Sequence, residues 1–179
     1  MTITKEKSDI GYWFWGQFND ATHSAISDIH KQIKKDLQGP HFEPHLTLAG
    51  PCQNLKAEDS KALKERLKNF SALELTVSGL QTEEKFFRAL YLKILEDEGL
   101  SKIRKNLLQV FNLKDSIFNP HVSLYYGTAG KDQRNNIISN LHNWPKKIIL
   151  DKVSIYSMGL DIDSWSLIES IQLKNVKKS

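Results

Sequence analysis

Phe42-Glu43-Pro44-His45-Leu46-Thr47-Leu48 and Phe118-Asn119-Pro120-His121-Val122-Ser123-Leu124 are two versions of one short phrase. Aligned, they share Phe, Pro, His and the last Leu, and Thr47 stands against Ser123. Side chains on a strand alternate faces, so His45 and Thr47 project together while Leu46 and Leu48 project behind. His121 and Ser123 share a face in the same way, with Val122 and Leu124 at their back. An internal repeat can be purely structural. This one repeats an imidazole and a hydroxyl, and two such strands meeting across a cleft gather four polar groups around one point.

Working outward, each half of the chain places helices and further strands around its histidine strand. Tyr12–Phe18 reads as an aromatic strand. Asn19-Asp20 then caps a helix that carries Ile26, Ile29, Ile33 and Leu37 at helical spacing and ends at Gly39-Pro40. His45–Leu48 is the first histidine strand, closed by Gly50-Pro51. Leu63, Leu67 and Phe70 mark a second helix, and Leu73, Leu75 and Val77 a strand. Gly79–Lys85 reads as a turn, Phe86–Leu95 as a longer strand, and Leu100, Ile103, Leu107 and Val110 as a third helix. Pro120–Tyr126 is the second histidine strand, followed by a short helix around Ile137, Ile138 and Leu141. Strands near Ile148–Tyr156 and Trp165–Leu173 finish the chain. The order β-α-β-α-β-β-α-β-α-β-β predicts an α+β fold of two pseudo-symmetric lobes. Each lobe is a small, mainly antiparallel sheet with helices outside, and a ligand cleft lies between them. The expected boundaries are a tail at 1–10, one bilobal domain at 11–173 and a second tail at 174–179.

Composition narrows the function classes. The 179 residues suit one domain, and 40% hydrophobic with 26% charged residues is ordinary for a globular protein. No apolar run reaches the roughly 18 residues that a spanning helix needs. Met1–Asp9 lacks the apolar segment of a signal peptide, which makes the cytoplasm the expected location. Cys52 is the single cysteine, so no internal disulfide and no multi-cysteine zinc site can form. The net charge of +4 and pI near 9.0 allow a polyanionic partner without requiring one. Lysines such as Lys31, Lys34 and Lys35, or Lys61, Lys64 and Lys68, sit at helical spacings and read as solvated helix faces.

Paired imidazoles with paired hydroxyls suit a phosphodiester. Opening a cyclic phosphate needs a base to activate water and an acid to protonate the departing alkoxide. Histidine, with an ordinary pKa of about 6.5, can serve either role. The hydroxyls of Thr47 and Ser123 can donate to the non-bridging oxygens, where charge concentrates. Other chemistries fit less well. His41 and His45 have the spacing of a zinc-binding helix, but Pro40 and Pro44 oppose a helix there. His23, His30 and His142 fall on predicted helices and read as surface residues. No Gly-x-Ser-x-Gly elbow is present for a serine-hydrolase triad.

The doubled His-φ-Thr/Ser-φ motif resembles the two-histidine phosphoesterase superfamily. That superfamily holds bacterial RNA 2′,3′-cyclic phosphodiesterases (the 2′-5′ RNA ligases) and the plant and yeast cyclic phosphodiesterases. Gly39-Pro40-His41-Phe42-Glu43-Pro44, the Phe86-Phe87 segment and Pro120-His121-Val122-Ser123-Leu124-Tyr125-Tyr126 look closest to the plant-type enzymes. The resemblance runs from about Tyr12 to the Trp165 strand. It implies a catalytic tetrad of His45, Thr47, His121 and Ser123, with Trp15, Phe87 and Tyr126 shaping the substrate site. Tyr126, five residues after His121, would reach that site only through a bulge near Leu124-Tyr125. Arg88 replaces the uncharged polar residue of the plant pattern, and is expected either to contact a second phosphate or to be a surface charge. The implied activity is cyclic phosphodiester hydrolysis on a nucleoside 2′,3′-cyclic phosphate or ADP-ribose 1″,2″-cyclic phosphate, without metal or cofactor. The alternatives are an RNA-directed relative (RNA 2′,3′-cyclic phosphodiesterase, 2′-5′ ligase or 2′-5′ phosphodiesterase) and a non-catalytic module that binds nucleotides or RNA ends. Expected partners are the cyclic-phosphate nucleotide or ADP-ribose derivative and RNA ends, with no membrane and with the chain acting as a monomer.

Overall fold

The computed structural model describes residues 10–175. The tails expected at 1–10 and 174–179 therefore lie outside the described residues except at Ile10, Lys174 and Asn175. Lys174 is bridged to Ser71. The elements are β1 (Gly11–Phe18), α1 (Asp20–Ile33), β2 (Leu46–Cys52), α2 (Ala57–Leu67), β3 (Leu73–Thr82) and β4 (Leu90–Ile94). Then come α3 (Glu98–Val110), β5 (His121–Tyr125), α4 (Lys131–Asn140), β6 (Lys147–Met158) and β7 (Ser166–Gln172). Helices and strands follow one another in the expected order.

Local chemistry accounts for the helix boundaries. The Asn19 side chain accepts from the Thr22 amide and starts α1, and Asp97 does the same for Leu100 in α3. Ile26, Ile29 and Ile33 bury one face of α1, and Leu100, Ile103 and Leu107 one face of α3. The first helix stops at Ile33, before Gly39-Pro40, although Leu37 beyond it is still buried.

The seven strands form one sheet in the order β1-β2-β5-β4-β3-β6-β7, and β1 also pairs with β6. All these ladders are antiparallel. A local two-fold between β2 and β5 relates the set β2-β1-β6 to the set β5-β4-β3, which are the two lobes. Each lobe borrows its third strand from the other half of the chain. The lobes share a sheet because β6 serves both: Lys147–Leu150 pairs with β3, while Leu150–Met158 pairs with β1. A bulge at Asp151 turns it between them, since Gln17 pairs with Lys152 and Phe18 with Leu150.

Two stretches differ from expectation. Residues 79–85 do not all form a turn, because β3 runs on to pair Gly79 with Lys93 and Thr82 with Leu90. Phe86–Arg88 is a 3₁₀ turn, closed by the Arg88 amide on the Lys85 carbonyl, and the strand begins only at Leu90. Leu46, Leu48, Val122 and Leu124 lie in the main core under the helices, at most 2% exposed. A smaller cluster of Trp15, Tyr156 and Met158 sits apart from it, with Trp13 and Trp165 against it. Among the described residues no helix is long and apolar enough to cross a membrane.

Candidate active site

The motif strands meet side by side. Leu46 of β2 pairs with Val122 of β5, and the residues flanking that pair point to the opposite face. His45, Thr47, His121 and Ser123 accordingly line one pocket of about 630 Å³. The repeat that reads as an alternation in one dimension becomes a ring of four polar groups in three.

Both imidazoles are held the same way. His45 Nδ1 lies 2.7 Å from the Glu43 carbonyl, and His121 Nδ1 lies 2.8 Å from that of Asn119. A carbonyl only accepts, so Nδ1 donates in each ring and Nε2 is left to handle a proton. The surroundings then diverge. His45 is buried with its ring stacked on Trp15, the centroids 3.6 Å apart and the planes 8° from parallel. His121 meets Tyr91 edge-on at 5.3 Å. Burial pushes its pKa down, the Asn119 carbonyl opposes that, and nearby Arg88 pushes it further down.

The hydroxyls and aromatics complete the wall. Ser123 Oγ donates to the Phe87 carbonyl at 3.0 Å, and the Tyr126 hydroxyl is in hydrogen-bond contact with the Ser123 side chain. Burial raises the Tyr126 phenol well above the ordinary tyrosine value, so it stays a neutral donor. Tyr126 enters the pocket because β5 bulges: Leu90 pairs with Tyr125 but Tyr91 with Ser123, leaving Leu124 unmatched. Tyr125 turns the other way, into the main core, and its hydroxyl donates to the Gln38 carbonyl. Phe87 meets the Tyr126 ring edge-on at 5.2 Å. Arg88 also lines the pocket. It is no free surface charge, since its guanidinium is paired with Glu83 and lies 5.7 Å from the Tyr91 ring.

Trp15 is not among the residues that line this pocket. It is 1% exposed and stacks on His45 at 3.6 Å and on Tyr156 at 3.9 Å. His30 is no surface residue either: it is partly buried, 3.2 Å from the Ser123 carbonyl. Trp13, Lys85, Phe86, Met158 and Trp165 also line the pocket and escaped the sequence reading. Trp13 shares a strand face with Trp15, a period-two signal that could have found it. Met158 and Trp165 carry no local signal, since only the pairing of β1 with β6 and of β6 with β7 brings them in. Among the described residues no three His, Cys, Asp or Glu side chains gather as a metal-binding group.

Comparison with known proteins places this geometry. The model of the 2′-5′ RNA ligase superfamily matches residues 18–162. A cyclic phosphodiesterase of Arabidopsis thaliana is 21% identical over 131 residues, which are 73% of this chain and 72% of that protein. Escherichia coli LigT in its apo form superposes with a TM-score of 0.62 at 14% identity, covering 92% of this chain and 98% of LigT. The protein TT0787 of Thermus thermophilus gives 0.61 at 16% identity, with 92% and 98% covered. LigT complexed with 3′-AMP gives 0.59 at 15% identity, with 93% and 99% covered.

Proposed function

This chain belongs to the 2′-5′ RNA ligase superfamily, and from that premise we propose that it is a metal-independent cyclic phosphodiesterase. Its substrate is a nucleoside 2′,3′-cyclic phosphate or an ADP-ribose 1″,2″-cyclic phosphate. The observation that carries the reading is the pair of imidazoles in one pocket, each with Nδ1 committed to a carbonyl and a hydroxyl beside it.

One histidine takes a proton from water as the water oxygen bonds to phosphorus. The bond from phosphorus to one ribose oxygen breaks, and the other histidine protonates that oxygen. The product is a phosphate monoester. His45 is the acid by resemblance to the superfamily, and the indole face under its ring supports the positive charge that burial opposes. His121 is the base, because burial and Arg88 both favour its neutral form. Thr47 and Ser123 donate to the non-bridging oxygens, Ser123 by giving up its bond to the Phe87 carbonyl. Phe87, Tyr126 and the neighbouring Trp13, Phe86 and Trp165 offer flat surfaces to a base or ribose. Arg88 takes a second phosphate where the substrate has one. The name of the Arabidopsis relative and the 3′-AMP bound to LigT are in keeping with such a substrate.

A second reading, an RNA end as substrate, is favoured by one feature. A neighbouring hollow of about 310 Å³ shares Lys85 and Phe86 with the pocket and adds Lys131, with Glu84 beside them. Two lysines leading from the cleft suit the next phosphate of a chain.

The test is a panel of 2′,3′-cyclic mononucleotides, ADP-ribose 1″,2″-cyclic phosphate and short RNAs with cyclic ends, with product regiochemistry read out. His45→Ala and His121→Ala should each lose about 10²–10⁴-fold in turnover with the fold intact. Undiminished turnover in both variants removes the catalytic assignment. A kcat/KM that rises steeply from mononucleotide to trinucleotide selects the RNA reading.

A further inference from the structure

The two motif strands are joined by a single residue pair, Leu46 with Val122. Something else must set how far apart they stand, because the strands carry the imidazoles. Two side chains from the covering helices reach in, each to the motif strand of the other lobe. His30 of α1, the helix leading into β2, places Nε2 3.2 Å from the Ser123 carbonyl of β5. Arg104 of α3, the helix leading into β5, donates through Nη1 to the Leu48 carbonyl of β2 at 2.7 Å. Each also lies on the phenylalanine that opens a motif. The His30 ring is 4.8 Å from that of Phe42, and the Arg104 guanidinium is 4.8 Å above that of Phe118. The strand order sets α1 against α3, β2 against β5 and Phe42 against Phe118, so His30 and Arg104 lie on the two helices that precede the motif strands. Their target carbonyls differ by one position along the motif.

We propose that His30 and Arg104 are positioning residues, cross-lobe pins that set the separation of the motif strands and hence of the two imidazoles. The carbonyl of Ser123 can only accept, so the His30 pin works with a proton on Nε2. Burial pushes the His30 pKa down to about 4, which keeps the ring neutral where the enzyme would work. Arg104 is anchored in the same way, since Nη2 donates to Asp115 at 2.6 Å and to the Ser116 carbonyl at 3.0 Å, fixing the guanidinium before it reaches β2. Neither residue touches the pocket. Their effect on a substrate passes through the strand each one holds.

The inference rests on the two-histidine reading of the site, and the test separates the two. His30→Gln keeps a donor near the Nε2 position, whereas His30→Asn is too short to reach Ser123. Steady-state kinetics on a 2′,3′-cyclic mononucleotide, well below the melting temperature, should show His30→Asn losing about 10–100-fold in kcat with little change in KM, since small misplacements of reacting groups act on the chemical step. His30→Gln should stay within about threefold of the parent. Arg104→Met, which keeps the stem and removes the donors, should repeat the kcat loss. A second readout does not need turnover: in ¹⁵N-histidine spectra the His45 and His121 signals should move in His30→Asn and return in His30→Gln. A parent inactive across the panel but showing that spectral pattern overturns the proposed function and leaves the pins standing. Wild-type kcat and spectra in His30→Asn, or equal losses in the Gln and Asn variants, overturn the pins.

Discussion

His45 and His121 occupy the same place in the same motif, and their neighbours give them different electrostatics. An indole face stabilises a cation lying over it by about 0.5–2 kcal/mol. Trp15→Phe offers a smaller and weaker face, so the alkaline limb of the pH–kcat profile should move to lower pH, with kcat at the optimum falling by up to about tenfold. An unmoved limb would remove the stack from the mechanism. Arg88 works on the other ring. Burial and this guanidinium hold the His121 pKa down, and a base must be deprotonated to act. Arg88→Gln removes the cation and leaves Glu83 paired with Lys85 alone, and both changes favour the imidazolium. The acidic limb should therefore move to higher pH, which a profile of kcat/KM measures; an unmoved acidic limb with the alkaline limb moved to higher pH would reverse the acid and base assignments. At this scale the sequence was most legible where period-two geometry applies. It places the tetrad, and the fifth-residue position of Tyr126 demands the bulge that β5 has. It could not tell that Trp15 is buried against His45 and Tyr156, because that depends on Tyr156 arriving from β6.

At the scale of elements, α1 is held to β5 through a neutral histidine, and that makes its docking sensitive to acid. In the unfolded chain His30 titrates near 6.5, and in the fold at about 4. The unfolded state therefore binds the extra proton between those values. The contribution is whole above about pH 6.5 and falls as the pH drops toward 4, amounting to up to about 3 kcal/mol. Denaturant unfolding followed from pH 7 to pH 4 should show this loss, and His30→Gln should flatten the slope. An unchanged slope in that variant would place the acid sensitivity elsewhere. Element identity was largely readable, since the cap at Asn19 and the aliphatic spacings of α1 and α3 are local signals. Phe86–Arg88 was not, because two phenylalanines in an apolar run look like a strand. The 3₁₀ turn there is tied by the Ser123 hydroxyl on the Phe87 carbonyl, a contact 36 residues away in sequence.

For the whole molecule, proton transfer and charge stabilisation are both assigned to side chains of the chain itself. Turnover on the cyclic-phosphate substrate should survive dialysis against EDTA unchanged; loss of activity that a divalent cation restores would replace the two-histidine mechanism with a metal-assisted one. The two-lobed plan could be inferred from the doubled motif, but the single sheet could not. Hydrophobic alternation states which face of a strand is buried and says nothing about which strand lies beside it. That β6 pairs with both β1 and β3 is visible only in space.

The shared strand also bears on how the molecule is made. β1 is made well before its partner β6, which begins only at Lys147, so until β6 emerges one edge of β1 and one edge of β3 stand bare. Neither lobe can close from its own half of the gene. A chain halted before Lys147 should therefore hold open strand edges, a substrate for chaperones and a seed for aggregation. The pocket between the lobes becomes whole only when that late strand binds both.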